Sequence, residues 1–341
     1  MRDTTFKYGR CLAAANIAKI TPPENIYHRM WGAALHDRAE GIHQPLECNA
    51  LWLRAIDSEA QLLILSIDHC LFWKDANDQL KQTVSNATGV AQEDIVVYFT
   101  HTHGAGLMDL GRDELPGGDL IAPYLDQIGQ KIAAACSVLP SQLEEAWLTA
   151  GTGASSLATN RDFYDVQREG YVCGFNPLNT ADQTLLTIKI ARASGELLGV
   201  ISNYACHPTT LAWENKLVSP DYIGSMRKTM RHALGRVPIL FIQGASGDVG
   251  PREGYVGDVR VAERNGRQLG LANLEVLASM PDQPQRYSYD GAVISGATIG
   301  VWSYKPFDEN EISDLSQFGT ATRNVPLAYR EDLGTLESVT G

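Results

Sequence analysis

The chain has 341 residues, 44% hydrophobic and 20% charged, which is the make-up of an ordinary globular protein long enough to bury a large core. Its formal net charge of -12, with no run of Lys or Arg fit to track a phosphate backbone, argues against nucleic acid as a partner. No apolar stretch approaches membrane-spanning length and residues 1–7 lack the apolar region of a secretory signal, so a cytoplasmic protein without a transmembrane segment is expected.

Residues 51–56 and 62–67 read as strands, short and rich in branched apolar side chains, with Asp68 following the second. A polar helix is expected over 75–86, ending near Gly89. Residues 95–99 read as a buried strand that delivers His101 into a glycine-containing loop. A long helix is expected from Asp119 as N-cap, with Leu125, Ile128, Ile132 and Ala135 on one apolar face.

Residues 185–190 and 198–204 read as extended segments leading to His207, 222–234 as a helix, and 239–242 as a strand entering the glycine-rich loop from Gly244 to Asp248. Val259, Ala262, Leu269, Ala272 and Val276 then fall at helical spacing. From Phe307 to Gly341 the periodicity fades and the chain ends without a closing signal, so an incomplete C-terminus is expected. Alternating strands, loops and helices imply a single α/β domain, a mixed sheet with flanking helices, carrying its chemistry in loops after strands.

Thr100-His101-Thr102-His103-Gly104 follows one apolar run, and Cys206-His207-Pro208 follows another. Neutral imidazole is a common zinc ligand, and alternate residues of an extended segment share a side, so His101 and His103 can address one site. The bland alternative is a set of hydrogen-bonded loop histidines. His69 ranks behind these, while His28, His36, His43 and His232 read as surface or core residues.

The six cysteines are widely spaced, without a Cys-x-x-Cys pair, and read as reduced thiols. Ser246 in Gly244-Ala245-Ser246-Gly247-Asp248 leaves open a metal-independent serine hydrolase, although the motif's last Gly is Asp here. Asp248, in that cramped turn, is a candidate to orient a histidine or buttress the loop. Arg161, after Asn160, could clamp an oxyanion or make a surface salt bridge.

In order along the chain, Ile20-Thr21-Pro22-Pro23, Gly41-Ile42-His43-Gln44-Pro45-Leu46, Ser66-Ile67-Asp68, the His101/His103 loop, Asn160-Arg161, Asn203 to Thr209, Ser219-Pro220-Asp221-Tyr222 and Gln243 to Pro251 resemble the neutral/alkaline, non-lysosomal ceramidase family. The resemblance covers roughly residues 12 to 255. It implies a zinc-dependent amide hydrolase with His101 and His207 as metal ligands, His103 assisting by hydrogen bonding or proton transfer, and Arg161 against the substrate amide. In that family water activated by zinc cleaves an N-acyl bond to release a fatty acid and a sphingoid base. Ceramide is then the best single substrate, with a more soluble N-acyl compound beside it, since no basic amphipathic helix is evident.

Two departures stand out. Gly250 takes the place of the family's active-site Ser, and the family's Glu and Tyr ligands have no counterpart context in the chain, nor does its C-terminal immunoglobulin-like domain. A fragment is expected, or else a carboxylate such as Asp68, Asp221 or Asp248 completes the site, or the chain binds metal poorly. A non-catalytic binding protein that keeps the loops is the remaining alternative.

Overall fold

The computed structural model describes residues 5–323 and 325–326. Among them, eight strands form the main sheet: β1 (Lys7–Lys19), β2 (Glu47–Arg54), β3 (Gln61–Ile67), β4 (Ile95–Phe99), β5 (Glu144–Ala154), β6 (Thr184–Ala191), β7 (Leu197–Tyr204) and β8 (Ile239–Gln243). The spatial order is β8-β7-β6-β5-β1-β2-β3-β4. Inner pairs are antiparallel, whereas β3–β4 and β7–β8 at the two ends are parallel. Parallel neighbours need a crossover, and helices supply it. The helices are α1 (Lys74–Thr88), between β3 and β4, α2 (Ile121–Cys136), α3 (Tyr222–Leu234), between β7 and β8, α4 (Val259–Ser279) and α5 (Glu309–Leu315).

Period-two alternation sorts the core. Cys48, Ala50 and Trp52 of β2 and Leu63, Leu65 and Ile67 of β3 pack beneath α1 and α2, against Leu80, Val84, Ile128 and Ile132. Their alternates Leu51, Leu53 and Ile64 turn to the other face and meet Ala146, Ile190, Ile201 and Leu240. Val200, Tyr204, Ile239 and Phe241 face outward again, buried with Met226, Met230 and Leu269 of α3 and α4. The sheet therefore folds over on itself, with a helix pair on each outer face.

Two hydrogen bonds fasten the fold-over. Ser66 Oγ donates to the Phe241 carbonyl at 2.7 Å, and Ile239 N–H donates to Asn49 Oδ1 at 3.0 Å. Arg227 of α3 adds a buried ion pair to Asp68 at 2.6 Å, the two side chains being 2% and 0% exposed. Its Nε also donates to the Ile239 carbonyl at 3.0 Å. Folding over brings the residues after β4 near those after β7.

Most expected elements are present, several with longer bounds. β1 and β5 carry no expectation from the sequence. β1 is the hub of the sheet, with Ala14 opposite Trp52 and Cys11 opposite Ala146. Its alanine-rich segment is covered on both faces, so no alternation marks it. Asp119 does not cap α2: it lies in the 3-10 turn Gly118–Leu120, and the helix starts after Leu120 without a side-chain cap. An unforeseen ribbon pairs Arg286–Ser295 with Ala297–Lys305. Of the segment after Phe307, α5 starts with a capping box between Asp308 and Glu311; residues 324 and 327–341 lie outside the described residues.

Candidate functional site

Past the end of β4, Thr100 N–H donates to the Ile67 carbonyl at 2.8 Å and His101 N–H to the His69 carbonyl at 2.9 Å. His101 then adopts φ 66°, a left-handed conformation uncommon for residues that carry a side chain. The sequence expectation that strand alternation places His101 and His103 on one side is therefore corrected. The strand has ended, and a turn brings the two rings to 5.2 Å between centroids.

That turn is pinned from below. Thr102, fully buried, donates through Oγ1 to the Ser219 carbonyl at 2.9 Å. Ser219 N–H donates back to the Gly104 carbonyl at 2.8 Å, and His28 Nε2 lies 3.0 Å from the same oxygen. A Cβ on Gly104 would sit 2.8 Å from the Ser219 carbonyl oxygen, so the close approach requires glycine.

His207 follows β7, its N–H donating to the Val249 carbonyl at 3.0 Å. Its ring centroid is 4.7 Å from that of His101 and 5.1 Å from that of His103. Three imidazoles from two distant segments thus converge.

Their hydrogen bonds set the tautomers. His101 Nδ1 lies 3.0 Å from the Cys70 carbonyl and His207 Nδ1 lies 3.2 Å from the Ser246 carbonyl. A carbonyl only accepts, so each Nδ1 carries the proton and each Nε2 presents a lone pair, as metal-binding histidines do. His207 Nε2 lies 3.2 Å from His103 Nε2, which must then be the donor. The buried His103 Nδ1 is left as a lone pair without a partner.

Burial, then the cationic Arg161, pushes His207 down to about 4. Burial, then His207, His101 and Arg161, pushes His103 down to about 3. Both rings are neutral at pH 7, the form that ligates a metal. Neutral imidazoles are donors that a divalent transition metal takes.

Cys70 was not foreseen, although it lies just past β3 beside the histidine loop. With His101 and His103, and without His207, it forms a group whose donor atoms lie within 4.8 Å of one another. Its Sγ, however, faces His101 Nδ1 at 3.5 Å, the nitrogen already committed to the Cys70 carbonyl. Burial pushes its thiol up to about 12.

No carboxylate joins this group among the described residues, which corrects the expectation for Asp68, Asp221 and Asp248 as ligands. Asp68 is committed to Arg227. Asp221 caps α3 and accepts the Leu211 N–H at 2.9 Å. Asp248 is exposed; its carbonyl accepts the Arg161 N–H at 2.9 Å.

Arg161 forms no salt bridge among the described residues, so the surface-pair reading is corrected too. Its Nε and Nη2 both donate to the Gly247 carbonyl, at 3.1 and 2.8 Å, and its Nη1 reaches the Tyr255 hydroxyl at 3.4 Å. The remaining guanidinium hydrogens are unspent. Ser246 Oγ accepts from Gln243 Nε2 at 2.6 Å, and the contact of Ser246 with His207 runs through its main-chain carbonyl. No histidine is placed to activate that hydroxyl among the described residues.

Aromatic side chains wall the site. Trp31 lies over His103 at 5.2 Å and meets Tyr255 at 5.8 Å and Trp213 at 6.1 Å. Their chain positions carry no local signal; Tyr255 even has φ 59°. Outside this wall, His69 is a core residue bonded to the Tyr124 hydroxyl at 2.8 Å, His28 pairs with His36 at 3.1 Å, and His43 meets Ser219 Oγ at 2.9 Å. All six cysteines are free, as the spacing suggests. No described helix is long and apolar enough to cross a membrane.

No protein-family model and no curated protein sequence matches the chain. Among solved structures, a ceramidase complexed with C2 superposes with a TM-score of 0.64 at 18% identity, covering 80% of this chain and 44% of that one. The neutral ceramidase from Pseudomonas aeruginosa superposes with a TM-score of 0.61 at 19% identity, covering 84% of this chain and 48% of that one. The chain thus has a ceramidase-like fold and spans less than half the length of either neighbour.

Proposed function

We propose that this chain is a single ceramidase-like domain bearing the histidine half of a zinc-dependent amide hydrolase that cleaves an N-acyl bond, with ceramide the best single substrate. The observation that carries this reading is the convergence of His101, His103 and His207, two of them with Nδ1 tied to main-chain carbonyls and an Nε2 lone pair that a metal could take.

His101 and His207 would hold the ion. Bound zinc supplies Lewis acidity that polarises a carbonyl and lowers the pKa of water to about 7. His103 takes a proton at Nδ1 or donates from Nε2, the only ring of the three without a carbonyl anchor. Arg161, held on the Gly247 carbonyl, aims unspent N–H groups at the amide oxygen as negative charge develops there. Asp248 acts through its carbonyl, which fixes the Arg161 backbone. Trp31, Trp213 and Tyr255 offer an apolar wall that suits an acyl chain and excludes water. Six free cysteines suit a reducing, cytoplasmic setting.

The test pairs a chelator with Ser246→Ala on N-acyl sphingosine and soluble N-acyl amines. Loss of turnover on chelation, recovery with zinc and little change in the variant support the reading. Turnover that survives chelation but not Ser246→Ala would replace it with a serine hydrolase. No metal uptake and no turnover would leave a binding protein.

A further inference from the structure

Outside the histidine site, a groove of about 980 Å³ is lined by residues of α3 and α4 together with Gln44, Pro45 and Glu47. None of the residues proposed above lines it. Lys228 and His232 stand one turn apart on α3, and Arg260, Arg264 and Arg267 succeed one another on one face of α4. The lining holds six Lys or Arg side chains against two carboxylates, Glu47 and Glu263. In a chain of net charge -12, cations left unpaired in one cleft would focus positive potential there.

Four of the six cations are ion-paired, Arg227 to Asp68, Arg231 to Glu47, Arg260 to Asp258 and Arg264 to Glu253. Glu47 is held by Arg231 at 2.9 Å, and Glu263 meets His43 at 3.4 Å. Arg260 pairs with Asp258 at 2.7 Å and Arg264 with Glu253, both at the exposed surface, where such pairs are weak and easily exchanged. Lys228 and Arg267 have no acidic partner among the described residues. Arg227, beside Lys228 in the lining, is 2% exposed and its Nη2 is a buried donor without a partner. Pro45 and Gly224 are the only apolar residues of the lining, so its apolar surface comes mostly from the stems of polar and charged side chains.

We propose that the α3–α4 groove binds a phosphomonoester, the tetrahedral dianion being received by Lys228 and Arg267 with Arg264 alongside. Guanidinium forks and an ammonium from two helices surround a multi-oxygen anion better than a planar carboxylate. The ester's organic part leaves through the open mouth. A soluble phosphate ester and a phosphatidic acid headgroup share this chemistry.

The test uses the full chain at low salt. Glycerol phosphate is titrated by calorimetry, and co-sedimentation is measured with phosphatidylcholine vesicles with and without phosphatidic acid. Lys228→Ala/Arg267→Ala removes two exposed, unpaired cations, and its unchanged melting temperature would confirm folding. Binding that weakens about tenfold or more in this variant and fades with salt supports the site. Binding of glycerol phosphate assigns a soluble ester, and binding of phosphatidic acid vesicles alone assigns the headgroup. Equal binding by wild type and variant, or no binding of either probe by wild type, overturns it. His207→Ala should bind as wild type, which separates this site from the proposed zinc site.

Discussion

His103 Nε2 and His207 Nε2 lie 3.2 Å apart, though 104 positions separate the two residues in the chain. Because His207 spends its Nδ1–H on the Ser246 carbonyl, its Nε2 lone pair has two suitors, the His103 N–H and a metal cation. A cation taking that lone pair would free the His103 N–H for another acceptor.

Metal content and turnover should therefore separate in the histidine variants. His101→Ala and His207→Ala should lose zinc and all turnover. His103→Gln should keep zinc while turnover falls roughly 10²- to 10⁴-fold, the usual worth of a proton-transfer group. Elemental analysis beside steady-state rates checks this; zinc lost from His103→Gln would make His103 a ligand instead.

Arg161→Ala should lower kcat/KM about 10²-fold, or ~2.7 kcal/mol of transition-state stabilisation. Stability should change little, since no carboxylate is left unpaired. Arg161→Lys should not restore the rate, because an ammonium lacks the fork that grips the Gly247 carbonyl. Kinetics and thermal melts on both variants decide it.

Gly250→Ser should fold normally and raise turnover of ceramide-type substrates. A Cβ there would meet Arg161 Cδ at 3.6 Å and Thr209 Oγ1 at 3.8 Å, ordinary contact distances, and the backbone is not left-handed. Unfolding curves and rates on ceramide provide the check; a strong loss of stability would show that the position requires glycine.

Asp68→Asn should destabilise the fold by about 3–5 kcal/mol, because it leaves the Arg227 guanidinium buried without its countercharge. Zinc content per folded chain should not change. Denaturant titration and elemental analysis are read together, and loss of zinc from folded variant would return Asp68 to the ligand set.

Stability should fall as pH drops from about 6.5 toward 4. Burial pushes His28 down to about 4 despite its bond to the Gly104 carbonyl. The unfolded chain, with an ordinary imidazole, takes up the proton first, so this contribution is complete above pH 6.5 and is lost as pH falls through 4. Its full size is about 3 kcal/mol. His28→Gln, which keeps a donor for Gly104, should give a shallower pH dependence by about one proton in chemical denaturation; an unchanged slope would locate the proton uptake elsewhere.

Locally encoded features were legible in the sequence. Branched apolar runs marked β2, β3, β4, β7 and β8, helical spacing marked α2 and α4, and His101, His103 and His207 stood out because they follow strands. Each of these signals is carried by neighbours within a few residues, where periodicity and turn chemistry operate. β1 escaped because a strand covered on both faces loses its alternation, and Cys70, Trp31 and Tyr255 because nothing beside them in the chain marks a site. The folding-over of the sheet, the tautomers of the three imidazoles, the commitment of Asp68 to Arg227 and the gathering of scattered cations between α3 and α4 were decided by tertiary structure alone. All four depend on partners far apart along the chain, and a hydrogen bond, an ion pair or a focused potential forms only once the backbone has brought those partners within a few ångströms.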